Sequence, residues 1–240
     1  MTRKRSPSAR DRLIVALDYP RAAEALGLAV KLDGLVQWFK IGLELYLAEG
    51  NSIIERVRNR GFSVFLDLKL HDIPNTVAGA VRSAAKIGAG MLTVHAGGGP
   101  AMLTAAQEAG ETSSSPLKLL AVTVLTSMDQ AQLSATGVPS APGEQVSRLA
   151  KIAYGAGIRG FVASAEEVSG LRSAHPETTL VIPGIRPAGT AIGDQKRVAT
   201  PASAIAAGAD YLVVGRPITQ AKDPAGAAQA ILDEIATVTS

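Results

Sequence analysis

The sequence predicts an α/β protein folded as a single-domain (β/α)₈ TIM barrel. Three observations predict it. Short apolar runs of strand length recur along the 240 residues, most of them separated by helix-type patterns. Three junctions share one grammar, a helix end followed by Gly-Ala and then a strand: Gly88-Ala89-Gly90, Gly155-Ala156-Gly157 and Gly208-Ala209. Charged residues stand at the C-terminal tips of many different runs, which is where barrel active sites lie. An open doubly wound sheet, the competing fold, would rarely place charges at so many strand ends.

The elements follow in order. Leu13 to Asp18 reads as the first strand, with Ile14, Ala16 and Asp18 on one face. A helix through Ala22 to Lys31 comes next, then a second strand, Val36 to Ile41, carrying Lys40 near its tip. Ile53, Ile54 and Val57 mark a helix. The third strand lies in Phe62 to Lys69: Phe62, Val64, Leu66 and Leu68 share an apolar face, and Ser63, Phe65, Asp67 and Lys69 share the other. Pro74 ends any ladder, and the helix that follows carries Val77, Ala80, Val81 and Ala84 as a stripe. Met91 to His95 is the fourth strand and Leu119 to Leu125 the fifth, ending in Thr126-Ser127. Gly97-Gly98-Gly99 between them reads as a tight turn, because no helix cap or lysine of a phosphate loop follows. A helix with Val146, Leu149, Ala150 and Ala153, the strand Gly160 to Ala163, a short helix Glu166 to Arg172 and the strand Leu180 to Ile182 come next. Thr200-Pro201 and Asp223-Pro224 are caps with first-turn prolines that open helices on either side of the last strand, Tyr211 to Val214. No linker divides the chain. Residues 1–10 read as a flexible basic tail and residues 11–240 as the barrel.

Composition narrows the function. Lys plus Arg exceed Asp plus Glu by three, 24 against 21, a mild bias toward anionic small molecules. Aromatic residues are only 4% and no basic run is interleaved with them, so no nucleic-acid surface is expected. No apolar run is long enough to span a membrane and no signal-type segment follows the basic start, so no membrane partner is expected. Cysteine is absent, which removes disulfides and thiolate metal sites and fits a reducing, cytoplasmic compartment.

The strand tips supply Asp18, Lys40, Asp67, Lys69, His95, Thr126, Arg186 and Arg216, with Asp72 just beyond the third strand. Lys40, Asp67, Lys69 and Asp72 form an alternating set of ammonium and carboxylate groups. Such a set holds both lysines charged and placed, which suits catalysis better than stability, since buried ion pairs are weak stabilising devices. Gly184-Ile185-Arg186-Pro187 and Gly215-Arg216-Pro217 follow strands seven and eight, the usual phosphate place of such barrels. Glycine N–H groups and an arginine fork suit phosphate oxygens. Gln195, in the segment after strand seven, is placed to close over the phosphate as a lid. His71 and His95 read as hydrogen-bonding residues rather than metal ligands, because the Lys69 ammonium among them competes with a cation.

These residues resemble a known family. The stretch DLKLHDIPNT, with ALD at Asp18, FKIGLEL around Lys40, VHAGGG at His95, VTVLTSM at Thr126, PGIRP at Arg186 and VVGRPI at Arg216, resembles the bacterial form of orotidine 5′-phosphate decarboxylase over nearly the whole chain. The resemblance implies cofactor-independent and metal-free decarboxylation of orotidine 5′-phosphate to UMP and carbon dioxide, the last step of de novo UMP synthesis. Lys69 would protonate C6, Asp67 would lie near the substrate carboxylate, and Lys40 would hold the charge array and the ribose. Asp72, Ile73 and Thr76 would enter the partner's site in a homodimer. Asp18 would bind the ribose hydroxyls and Ser127 the pyrimidine, beside Thr126. Pro183, Arg186, Gln195, Gly215 and Arg216 would serve the phosphate region. The family often has a threonine before PGIRP, where this chain has Ile182.

Two rivals stand beside this reading. A magnesium-dependent 3-keto-L-gulonate 6-phosphate decarboxylase-like barrel shares the Asp-x-Lys-x-x-Asp motif, but members of that group resemble one another in having a glutamate on strand two, where this chain has Lys40. A non-catalytic barrel that binds a phosphorylated nucleotide would keep Arg186 and Arg216 without needing Lys69.

Overall fold

The structure, a computed structural model, describes residues 8–113, 115–187 and 199–239. Eight parallel strands close into a barrel in sequence order. They are β1 (Leu13–Ala16), β2 (Trp38–Gly42), β3 (Ser63–Leu70), β4 (Met91–His95), β5 (Lys118–Val122), β6 (Gly160–Val162), β7 (Thr179–Ile182) and β8 (Tyr211–Val214). β1 pairs with β8 through Leu13↔Leu212, Ile14↔Val213 and Val15↔Val214, which closes the ring.

Strand alternation divides the core into two layers. Inside the barrel, Ile14, Ala16, Phe65, Met91, Leu120, Val181 and Val213 fill the space between the strands, with Trp38 and Tyr211 packed against them. Outside, Leu13, Val15, Val64, Leu66, Leu92 and their counterparts meet the helices. The two faces assigned to the third strand are those observed, Phe65 inward and Val64 and Leu66 outward.

The helices form where apolar stripes and caps coincide. The helix Pro74–Lys86 buries Val77, Val81 and Ala84. Thr200 and Asp223 accept the N–H groups of Ser203 and Gly226 at the starts of Pro201–Ala206 and Pro224–Ala236. The junction glycines Gly88, Gly157 and Gly208 have φ of 81°, 93° and 110°, the left-handed values that end a helix.

Several boundaries differ from the sequence reading. β1 stops at Ala16 and β5 at Val122, so Asp18 and Thr126 belong to loops above the sheet. The glycine run is not a simple turn: a 3₁₀ turn, Ala96–Gly98, feeds a helix, Gly99–Glu111, which buries Met102, Leu103, Ala106 and Ala109. Half of its stripe is alanine, which carries little apolar contrast along a sequence. A helix Ala9–Arg12 takes in two residues assigned to the N-terminal tail, while residues 1–7 lie outside the described residues. Among the described residues, no helix is long and apolar enough to cross a membrane.

β6 depends on a close approach. A Cβ on Gly160 would stand 2.5 Å from Leu120 Cδ2 and 2.6 Å from the Leu119 carbonyl oxygen, so the β5–β6 spacing admits no side chain there. Gly160→Ala is expected to destabilise the fold by about 1–3 kcal/mol through overpacking, seen as a lowered midpoint in urea denaturation. An unchanged midpoint would mean that β5 and β6 separate freely.

Candidate active site

The third strand positions the centre of the site. Inward-facing Asp67 follows Phe65 at the top of the barrel interior, and the β2–β3 register sets Lys40 opposite Phe65 and Gly42 opposite Asp67. Lys40 Nζ lies 3.0 Å from Asp18 Oδ1 and 3.5 Å from Asp67 Oδ2. Lys69 Nζ lies 2.8 Å from Asp67 Oδ1. The four side chains form a chain of alternating charge, Asp18–Lys40–Asp67–Lys69, supplied by the adjacent strands β2 and β3 and the loop after β1. Gly42 makes room for it: a Cβ there would stand 3.1 Å from Lys40 Nζ.

Lys69 is the only non-glycine residue with positive φ among the described residues, at 50°. That conformation is unfavourable by about 1–2 kcal/mol for an L-residue. It arises where the β3–β4 register shifts between Leu66 and Leu70. The twist turns the Lys69 side chain back toward Asp67.

Burial and charge oppose each other at these groups. Burial alone would push the Asp67 carboxyl up. The Lys40 and Lys69 ammoniums, with hydrogen bonds from Lys69 and Thr93, more than reverse this and hold it below the ordinary carboxylate value. Burial would likewise lower Lys40, yet Asp67 and Asp18 hold it above the ordinary ammonium value. Asp67 and Lys40 therefore carry their charges across the neutral range. His95, stacked on His71 with ring centroids 5.4 Å apart, is held below its ordinary value by burial, by His71 and by Lys69.

Two connected spaces open above the array. A chamber of about 190 Å³ is lined by Lys40, Asp67, Lys69 and Thr126 and walled by Phe65, Val122, Val124, Leu125, Val162, Pro183 and Val213. A recess of about 410 Å³ beside it is lined by Asp18, Gly184, Arg186, Gly215, Arg216, Thr219 and Gln220. Lys40, Pro183 and Val213 line both, so the two form one cleft with an apolar end and a cationic end. A larger recess, about 650 Å³, opens at the N-terminal ends of the strands around Trp38, Met91, Lys118 and Tyr211. The charge array lies at the opposite mouth, so the chemistry is assigned there.

Most residues singled out in the sequence converge on this cleft, and some do not. Ser127 follows Thr126 but does not line either space. Asp72, Ile73 and Thr76 are exposed and line neither. The Asp72 carboxylate accepts the Ile73 N–H at 2.6 Å and forms no ion pair with Lys40 or Lys69 within this chain. Gln195 lies outside the described residues. Among the described residues, no three His, Asp or Glu side chains are grouped to hold a metal ion.

Sequence reading missed Thr93, Thr219 and Gln220. Thr93 is fully buried on β4, and its hydroxyl donates to Asp67 Oδ1 at 3.0 Å. A hydroxyl at the inward parity of an otherwise apolar strand, between Met91 and His95, was the available signal. Thr219 and Gln220 follow GRPI in a helical turn too short to leave a periodic pattern.

Comparison with known proteins gives consistent matches. The family model described as Orotidine 5'-phosphate decarboxylase / HUMPS family matches residues 11–231. A curated relative from Halorhodospira halophila, named orotidine 5'-phosphate decarboxylase, is 54% identical over 226 residues, covering 94% of this chain and 96% of the relative. One of the same name from Pseudomonas aeruginosa is 51% identical over 224 residues, covering 93% and 97%. The crystal structure of orotidine 5'-phosphate decarboxylase from Lactobacillus acidophilus superposes with a TM-score of 0.82 at 38% identity, covering 94% of this chain and 99% of that one.

The opposed shifts set a pH dependence of stability. Asp67 is lower in the folded than in the unfolded chain, so its contribution is complete above the unfolded value of about 3.9 and is lost as pH falls through the folded value. Lys40 is raised, so its contribution is complete below about 10.4 and is lost as pH rises through its folded value. Asp67→Asn is expected to lower stability at pH 7 by about 3 kcal/mol, because it strips a buried ammonium of its partner. It should also flatten the fall in stability below about pH 4. Urea midpoints measured from pH 3 to 8 for both proteins check this; an acid slope identical in the variant would assign it to other carboxylates.

Proposed function

The chain belongs to the orotidine 5′-phosphate decarboxylase / HUMPS family, and from that premise we propose that it converts orotidine 5′-phosphate to UMP and carbon dioxide without a cofactor, as the last step of pyrimidine nucleotide synthesis. The observation that carries the proposal is the fixed Lys69 ammonium, 2.8 Å from Asp67 and bordering an apolar chamber whose other end opens on two arginines.

The pyrimidine enters the chamber with its C6 carboxylate toward Asp67 and Lys69. The C6–CO₂ bond breaks, carbon dioxide leaves, and the electron pair stays at C6. The Lys69 ammonium faces that carbon, stabilises the developing negative charge and then delivers its proton to C6. Asp67, itself held by Lys40, keeps the Lys69 ammonium aimed before the substrate arrives, so little reorganisation accompanies the reaction. Asp18 and Lys40 take the ribose hydroxyls. Thr126 and Ser127 serve the ring, while Pro183, Arg186, Gln195, Gly215 and Arg216 hold the phosphate end. Binding energy from the phosphate organises the reacting end without touching it.

We assign the working unit as a homodimer, with Asp72, Ile73 and Thr76 reaching the partner's site. Two observations support this. Asp72 makes no ion pair to the array of its own chain. Leu43, Leu47 and Ile73 expose 52%, 79% and 66% of their surface just after the adjacent strands β2 and β3, an apolar area suited to burial by a second copy. The same reading puts the enzyme in the cytoplasm, the reducing compartment that a cysteine-free chain fits.

Two outcomes test the assignment. Lys69→Ala is expected to remove turnover by at least about 10³-fold while leaving a folded dimer that still binds UMP; turnover at the wild-type rate would refute Lys69 as the proton donor. Mixing inactive Lys69→Ala with inactive Asp72→Ala under conditions of subunit exchange is expected to restore part of the activity, because some heterodimers carry one intact site. No recovery after demonstrated exchange would refute the contribution of Asp72 across the interface.

A further inference from the structure

Thr93 touches both residues that the proposed reaction needs most, and it does so from a different strand. In the β3–β4 ladder, Phe65 and Leu66 pair with Met91 and Leu92, and the next pair is Leu70 with Val94. Three residues of β3, Asp67, Leu68 and Lys69, therefore stand opposite a single residue of β4, which is Thr93. A bulge of this kind breaks the ladder and leaves backbone groups seeking partners. The Thr93 hydroxyl meets that need. Its oxygen accepts the Lys69 backbone N–H at 2.8 Å, and its proton goes to Asp67 Oδ1 at 3.0 Å. Both ends of the bulge are thus tied to one fully buried side chain.

We propose that Thr93 is a positioning residue for the proton-donating lysine: its hydroxyl locks the bulge that holds Lys69 in its left-handed backbone conformation and fixes the oxygen of Asp67 to which the Lys69 ammonium is paired. The inference rests on the proposed decarboxylation and deepens it. One hydroxyl satisfies a part-buried backbone donor that would otherwise lack a ladder partner, and it orients a carboxylate that would otherwise rotate about its terminal torsion. Without the hydroxyl, the Lys69 backbone has no partner to hold its φ of 50°, and the ammonium samples positions away from the reacting carbon. A misplacement of about 1 Å is enough to lower the rate by about 10²-fold. The methyl group of Thr93 packs but does not orient, so serine should serve and valine should not.

The test compares Thr93→Val, Thr93→Ala and Thr93→Ser with the wild type, each checked for folding by circular dichroism well below its melting temperature. Thr93→Val and Thr93→Ala are expected to lower kcat about 10- to 100-fold while changing KM for orotidine 5′-phosphate by less than about threefold, since Thr93 lines neither part of the cleft. The acid limb of the kcat profile should move to higher pH, because Asp67 loses a donor while Lys40 and Lys69 continue to face it. Thr93→Ser should recover kcat to within about threefold of wild type and restore the acid limb. Should Thr93→Val fail to fold, the Thr93→Ala and Thr93→Ser pair makes the same comparison. An active wild type with equally active Thr93→Val or Thr93→Ala would overturn the role of Thr93 and leave the proposed function standing, as would a Thr93→Ser enzyme as impaired as Thr93→Val. A wild type inactive on orotidine 5′-phosphate would refute the proposed function and the role of Thr93 with it.

Discussion

The site depends on one carboxylate held between two ammoniums. Asp67 is nearly excluded from water, with 13% of its side chain exposed, and Lys40 has only 12%. Charges this buried are tolerable only in company. Two opposite charges about 4 Å apart attract by roughly 4 kcal/mol at an intermediate effective dielectric, against a desolvation penalty of several kcal/mol for each ion. The balance closes because Asp67 accepts from Lys69 and Thr93 and faces Lys40, while Lys40 also reaches Asp18. As a stability device such an array is inefficient. Its return is a fixed ammonium at the top of an otherwise apolar barrel.

The rest of the fold serves that placement. The barrel brings β1, β2 and β3 side by side, so residues far apart in sequence share one mouth. Glycine at position 42 leaves space for the Lys40–Asp18 contact, and the bulge in β3 turns Lys69 back over Asp67. Along the same mouth, β7 runs into a loop that carries Arg186, and β8 into a helical turn that carries Arg216, both lining the recess beside the chamber. In the proposed reaction, charge development and charge recognition would be separated along one cleft: the cationic end would take up a dianion that does not change, and the apolar end would let the Lys69 ammonium act without competition from water.

Much of this was legible in the sequence because barrel strands alternate strictly. Parity along Ser63 to Lys69 assigned Phe65 and Asp67 inward and Val64 and Leu66 outward, and the structure agrees. The proline-marked helix starts at Pro201 and Pro224 were equally clear, since a capping side chain and a first-turn proline act locally. What escaped depends on contacts between strands. The bulge at Lys69 is a difference between the residue counts of β3 and β4, and no pattern within either strand encodes it. Thr93 looked like one more β-branched strand residue until its partner was known. The helix Gly99–Glu111 was hidden by its own composition, because alanine packs closely without marking a face and the preceding glycines suggest a turn. Asp72 joined the alternating set by residue type alone, and only the family resemblance sent it to a partner's site; within the single chain it forms no ion pair with Lys40 or Lys69.

The most direct measurement is turnover of orotidine 5′-phosphate by the purified wild-type protein, followed by the loss of its ultraviolet absorbance with and without EDTA. If a fixed ammonium carries the reaction, conversion to UMP and carbon dioxide proceeds at the same rate with the chelator present. A folded protein that leaves orotidine 5′-phosphate unchanged, or one whose activity EDTA removes and magnesium restores, would contradict it.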